Sequence, residues 1–101
     1  MELTQRLICR SAINHYGKEN QKKKCIEEMA ELTKALCKET FVSPDEIEGN
    51  LINIQEEIAD VIIMANQMRI LYGAEQVDEA ITYKLNRLKG KMEGTKYEGG
   101  L

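Results

Sequence analysis

The sequence has few of the residues that interrupt helices and few that build zinc sites. Its 101 residues include one Pro, no Trp, one Phe and one His. Proline breaks helices, whereas the abundant Lys, Glu, Leu, Ile and Ala allow or favour them. The solitary His15 and the lack of a Cys-x-x-Cys pair argue against a zinc site. The composition therefore predicts an all-α protein.

Other scarcities bear on location and partners. Cys9, Cys25 and Cys37 are odd in number, so we expect reduced, mostly buried thiols in a cytoplasmic protein. No signal-peptide pattern opens the sequence, and no apolar run reaches the roughly 18 residues of a membrane span, so we expect no membrane partner. The net charge of -3 argues against a nucleic-acid polymer as the main partner.

Turn signals divide the chain into helical segments. Gly17 and Gly73 are expected to end helices, and Ser43-Pro44-Asp45-Glu46 has the N-cap, Pro and acids that start a short one. We expect a single helical domain over residues 1–93 and a flexible tail over residues 94–101. The long helices are expected over residues 2–16, 20–38, 51–72 and 75–92.

The spacing of apolar residues predicts which helix faces are buried. The second helix is expected to bury Ile26, Met29, Ala30, Thr33, Leu36 and Cys37. The third helix carries one apolar stripe of Ile54, Ile58, Val61, Ile62, Ala65 and Met68, and Ile52, Ala59, Ile63 and Ile70 on roughly the opposite side. A helix that is apolar on both sides is normally buried on both. In so short a chain we expect the second side to meet another subunit, the alternative being that the fourth helix covers it.

Two acidic pairs lie on different predicted helices. Glu28 and Glu31 are three residues apart on the second helix, and Glu57 and Asp60 are three apart on the third. Residues at this spacing share a helix face, and antiparallel packing would bring the pairs together. Gathered carboxylates repel one another unless a cation neutralises them, and Mg²⁺ accepts carboxylate oxygens while keeping positions open for phosphates.

Taken alone, acids at this spacing are more often a solvated helix face. Repetition beside apolar stripes on two helices strengthens the case for a metal site. A ferritin-like di-iron site is the rival carboxylate bundle, but it needs Glu-x-x-His motifs that this chain lacks. A basic set follows on the fourth helix, where Lys84, Arg87 and Lys91 share a face. That set is either a phosphate clamp or a basic surface that favours the helix C-terminus.

These motifs together resemble the MazG-like all-α nucleotide pyrophosphohydrolases. The likeness rests on Glu27-Glu28-x-x-Glu31, a gap covering residues 32–56, and then Glu57-x-x-Asp60. Lys84-Leu-Asn-Arg-Leu-Lys-Gly-Lys91 also looks like the family's fourth helix, although Lys91 stands where the family commonly has Arg. The resemblance covers most of the chain, from the second-helix entry at Tyr16-Gly17 onwards.

The resemblance implies a four-helix bundle-like fold that assembles as a homodimer or homotetramer. It implies Mg²⁺-dependent hydrolysis of a nucleoside triphosphate to the monophosphate and pyrophosphate. The metal would be held by Glu28, Glu31, Glu57 and Asp60, and the phosphates by Lys84, Arg87 and Lys91. Glu28 or Glu31 would activate water, with Glu27 in a supporting catalytic role. The alternative is a non-catalytic helical module for nucleotide sensing or protein interaction.

Overall fold

The computed structural model describes residues 1–94, and within this range the protein is all-α, as the composition predicts. The four long helices are α1 (Leu3–Tyr16), α2 (Lys18–Glu39), α3 (Ile47–Tyr72) and α4 (Ala74–Gly94), with a 3-10 helix at Pro44–Glu46. Gly94 closes α4, and the rest of the predicted tail lies outside the described residues. No helix in this range is both long and apolar enough to cross a membrane.

Two compact units make up the chain. The first, Met1–Leu71, contains α1, α2, the 3-10 helix and nearly all of α3. The second begins at Tyr72 and contains α4. Both acidic pairs therefore belong to the first unit, whereas the basic set of α4 belongs to the second.

A single residue separates α1 from α2. The Gly17 N–H donates to the carbonyl of Ile13 at 2.9 Å, and the Gly17 carbonyl accepts from the N–H of Gln21 at 3.1 Å. Gly17 has φ +89° and ψ 154°, a conformation that side-chain-bearing residues avoid. Gly17 thus ends α1, as the sequence predicts. It also starts α2, a role that was not predicted from the sequence.

The third helix begins earlier than the sequence predicts. Its first residue is Ile47 rather than Leu51, because the 3-10 helix opened by Pro44 leads directly into it. The Ser43 carbonyl accepts from the Glu46 N–H at 2.9 Å, and the Ser43 hydroxyl lies within hydrogen-bonding distance of the Asp45 and Glu46 carboxylates. Gly49, which lies between the long helices predicted over residues 20–38 and 51–72, is helical.

The core of the first unit is small and partly polar. Its buried residues are Cys9, Gln21, Cys25, Ala35, Asn50, Ile54, Met64 and Gln67. The Gln21 side-chain amide donates to Gln67 Oε1 at 2.6 Å and so ties α2 to α3. Cys9 and Cys25 are buried free thiols, and Cys37 is an exposed one.

The predicted apolar face of α2 is wrong for the isolated chain. Ile26 is 55% exposed, and Met29 and Leu36 are each 49% exposed. The face of α2 turned inward carries Gln21, Cys25, Glu28 and Ala35 instead, at the spacing of one helix face. Because that face holds small and polar residues, the strongest apolar periodicity pointed to the opposite side. The apolar stripe of α2 is therefore left at the surface.

Candidate metal centre

Three acidic side chains from two helices converge in the first unit. Glu28 comes from α2, and Glu57 and Asp60 come from α3. Each offers one carboxylate oxygen, and these three oxygens lie within 4.8 Å of one another. We call these three residues the acid cluster. Asp60 follows Glu57 by three residues, so one face of α3 presents both carboxylates to Glu28.

The acid cluster is partly withdrawn from water. The Glu28 side chain is only 14% exposed, and Glu57 is half-buried. Glu57 Oε2 is fully buried and has no hydrogen-bond partner in the structure. A buried carboxylate oxygen without a partner is costly, because it has lost its hydration and gained nothing in exchange. That oxygen is suited to a cation that would approach from within the acid cluster.

The surroundings raise the pKa values of two members of the acid cluster. Burial is the main cause for Glu57, and the charges of Asp60, Glu28 and Glu31 raise its pKa further. Burial is also the main cause for Asp60, whose pKa rises further through the charge of Glu28 and a hydrogen bond with it. A hydrogen bond between two carboxyl groups requires a proton on one of them. The ionised cluster is thus unfavourable until a cation compensates its charge.

The remaining predicted acids lie at the margin of the acid cluster. Glu31 is exposed and outside the group of three, yet its charge is near enough to raise the pKa of Glu57. Glu27 is 68% exposed, and its Oε2 lies 3.7 Å from the Lys24 ammonium. The structure thus brings three of the four predicted metal ligands together and leaves Glu31 and Glu27 nearer to solvent.

The run Lys22 to Lys24 could be read from the sequence as a solvated lysine run or as a phosphate contact, but the contact of Lys24 with the acid cluster was not predicted. The Lys24 Nζ lies 3.2 Å from Glu28 Oε1, and the two residues are four apart on α2. The charge of Lys24 lowers the pKa of Asp60, against the larger effects that raise it. Opposite charges four residues apart on a helix are the sequence signal from which this contact could have been predicted.

The predicted phosphate-binding residues occupy the second unit. Lys84, Arg87 and Lys91 lie on α4 at spacings that share a helix face. The Arg87 guanidinium carbon lies 5.9 Å from the centre of the Tyr83 ring, within the range of a cation–π contact. Their expected contact with phosphates stays a prediction.

Comparison with known proteins found no relative of this chain. No protein-family model matches the chain, and no curated protein or solved structure matches it either. The resemblance to the MazG-like enzymes therefore depends on the sequence motifs alone. What the geometry adds is a donor set of carboxylate oxygens, which suits a hard divalent ion such as Mg²⁺ or Mn²⁺ better than zinc.

The raised pKa values predict how stability depends on pH. Glu57 and Asp60 bind protons more tightly in the folded protein than at their ordinary pKa values of 4.5 and 3.8. Tighter proton binding stabilises the folded protein. This stabilisation is fully present at pH values below the ordinary pKa values, and it is lost as the pH rises through the raised pKa values of the folded protein. The melting temperature of the metal-free protein should therefore fall as the pH rises from about 4 towards neutral, relative to an Asp60→Asn variant.

Magnesium should reverse this loss. A bound divalent ion compensates the ionised carboxylates, so the rise in melting temperature caused by Mg²⁺ should be small near pH 4 and grow towards neutral pH. Differential scanning fluorimetry over this range, with Ca²⁺ and K⁺ arms, measures the effect. A Mg²⁺ shift equal at all pH values, or retained in Asp60→Asn, would contradict the prediction.

Proposed function

We propose that this protein is a Mg²⁺-dependent nucleotide pyrophosphohydrolase. It converts a (deoxy)nucleoside triphosphate into the monophosphate and pyrophosphate, in the manner of enzymes that clean the nucleotide pool, and it works as a homodimer or homotetramer. The observation that carries the proposal is the acid cluster with its buried, unpartnered Glu57 Oε2. A structural ion pair would have given that oxygen a partner, whereas a metal ligand needs it free.

The residues of the acid cluster have distinct parts in this proposal. Glu28, Glu57 and Asp60 hold the metal, and Glu31 at the margin completes the set. When bound, Mg²⁺ polarises the phosphoryl oxygens and offsets the negative charge that develops on the pyrophosphate. Lys84 and Arg87 steady the phosphates with charged hydrogen bonds, and Lys91 supplies charge without the planar fork of an Arg.

The carboxylates nearer to solvent suit the handling of water. In the proposed reaction the oxygen of water forms a bond to the α-phosphorus, and the bond from that phosphorus to the bridging oxygen of pyrophosphate breaks. Glu31 or Glu28 orients the water and accepts its proton, and Glu27 supports that carboxylate. The proton leaves to solvent, which the exposure of Glu31 allows.

One observation favours a second candidate function. Apolar side chains on α1, α2 and α3 stay exposed, Leu7, Ile26 and Ile62 among them, and exposed apolar surface of this kind is typical of an interaction module. Such a module would associate through these residues and bind nucleotide without turnover. The acid cluster counts against a pure scaffold, which would have no use for it, but it does not separate nucleotide binding from turnover. The resemblance of the motifs to the MazG-like enzymes makes hydrolysis the preferred proposal.

The decisive experiment is a pyrophosphate-release assay over a panel of nucleoside triphosphates. Reactions run in ¹⁸O-labelled water with Mg²⁺, and mass spectrometry locates the label. We expect the label in the monophosphate, because attack occurs at the α-phosphorus. Label in pyrophosphate would contradict this mechanism. Nucleotide binding without turnover across the whole panel would favour the non-catalytic module.

A further inference from the structure

A lysine on α2 forms an ion pair with one member of the acid cluster. The Lys24 Nζ lies 3.2 Å from Glu28 Oε1 and 3.7 Å from Glu27 Oε2. The Lys24 side chain is 54% exposed, whereas that of Glu28 is 14% exposed. The Lys24 ammonium, on a mostly exposed side chain, therefore contacts the carboxylate of Glu28, which is the member of the acid cluster that α2 contributes.

A divalent cation held by the acid cluster would compete with Lys24 for the carboxylate of Glu28. Glu28 belongs to the acid cluster, and its Oε1 is the atom that the ammonium contacts. The acid cluster brings three carboxylates together, and the Lys24 charge acts on Asp60 as well as on Glu28. A metal that takes Glu28 as a ligand supplies the positive charge that Lys24 provides in its absence, and it repels the ammonium.

We propose that Lys24 is the resident counter-ion of the acid cluster, that a divalent cation displaces it from Glu28, and that the displaced ammonium then binds a phosphate oxygen of the metal-bound nucleotide. This inference rests on the proposed function, since it needs a metal at the acid cluster and a triphosphate on that metal. It assigns Lys24 two alternating partners, a carboxylate before loading and a phosphate after it.

The chemistry of lysine suits this exchange of partners. The ammonium is a compact charge with three donors on a flexible four-carbon stem, so it moves between neighbouring acceptors without a change in the backbone. A triphosphate on a metal held by Glu28 would be within reach of the displaced ammonium, because Lys24 already contacts that carboxylate. An ordinary surface ion pair between residues four apart would have no such second partner and would contribute little.

The test compares Lys24→Met with Lys23→Met. Met keeps the length and helix propensity of Lys and removes the charge. Lys23 is exposed and lies about 100° around α2 from Lys24, so its replacement matches the loss of charge without touching Glu28. Circular dichroism checks that both variants stay helical. Mn²⁺ affinity is measured without nucleotide by electron paramagnetic resonance, and affinity for an α,β-methylene triphosphate is measured calorimetrically at saturating Mg²⁺.

The expected effects of Lys24→Met have opposite signs. Mn²⁺ should bind about threefold more tightly, because its competitor for Glu28 is gone. The triphosphate analogue should bind about tenfold more weakly, because a charged hydrogen bond to phosphate is lost. Lys23→Met should change each affinity by less than about twofold, as expected of an exposed charge.

The outcomes separate this inference from the proposed function. If wild-type protein binds Mn²⁺ and the analogue but Lys24→Met behaves like Lys23→Met in either measurement, the role of Lys24 is wrong and the metal site stands. If wild-type protein binds no Mn²⁺, or binds it equally well after Glu57→Gln, the proposed function fails and the inference fails with it.

Discussion

Replacing Glu57 by Gln, or Asp60 by Asn, should reduce pyrophosphate release at saturating nucleotide by more than about 100-fold. Changes to groups that merely support metal ligands already cost about 10–100-fold, and these two residues are proposed as ligands themselves. An amide keeps the shape of the side chain, but it removes the negative charge and leaves only one oxygen for the metal. Steady-state kinetics over a range of Mg²⁺ concentrations measures the loss and shows whether excess metal restores activity.

The same substitutions should stabilise the metal-free fold. Burial and neighbouring carboxylates raise the pKa values of both residues, so the ionised forms oppose folding at neutral pH. Glu57→Gln and Asp60→Asn should therefore melt at higher temperature than wild-type protein without metal, and they should lose most of the Mg²⁺-dependent shift. Activity and stability changing in opposite directions distinguishes a strained functional site from a structural one.

A matched control is available on α3. Glu48→Gln makes the same chemical change at an exposed position in the first turn of that helix. It should leave both activity and the Mg²⁺-dependent shift close to wild-type values. Full activity in Glu57→Gln or Asp60→Asn would show that the acid cluster is not the catalytic metal site, even if the protein still binds magnesium.

The helices were predictable because local chemistry decides them. Gly17 and Gly73, the two described glycines with positive φ, stand just after the ends of α1 and α3, where glycine's conformational freedom is needed. The start of α3 was missed by four residues because Gly49 suggests a break, whereas the helical turn begun at Pro44 continues through it. Helix propensity is a weak preference, and neighbouring turns override it.

The acid cluster was only partly predictable. A spacing of three residues shows that Glu57 and Asp60 share a face, and the structure places them together. The three-residue spacing also puts Glu28 and Glu31 on one face of α2, yet only Glu28 lies close to the α3 carboxylates. The choice depends on the rotation of α2 about its axis, and the inward face of α2 carries Gln21 and Cys25 rather than the apolar stripe. Apolar spacing alone therefore could not separate Glu28 from Glu31.

The exposed apolar side chains of the first unit, including the stripe on α2, have a consequence for assembly. Within the first unit many large apolar side chains remain at the surface, namely Leu3, Leu7, Ile8, Ile26, Met29, Leu36, Leu51, Ile52, Ile58, Ile62 and Ile63. Apolar surface on this scale is unfavourable in water, and soluble proteins normally cover it. The proposed oligomer offers a cover that needs no other partner, because a twofold axis pairs the same surface on two copies.

Ile62→Glu should therefore dissociate the proposed oligomer and raise its dissociation constant by more than about 100-fold, since an unpaired charge would enter an apolar interface. Ile62 is 55% exposed in the single chain, so the same change in a monomeric protein would have little effect on folding. Ile62→Val keeps the site apolar and should leave the association unchanged. Analytical ultracentrifugation over a range of protein concentrations measures the three proteins under identical conditions.

Wild-type protein that sediments as a monomer throughout would refute the proposed assembly. An Ile62→Glu variant that stays associated would place the interface on another surface, such as the stripe of Ile26, Met29 and Leu36.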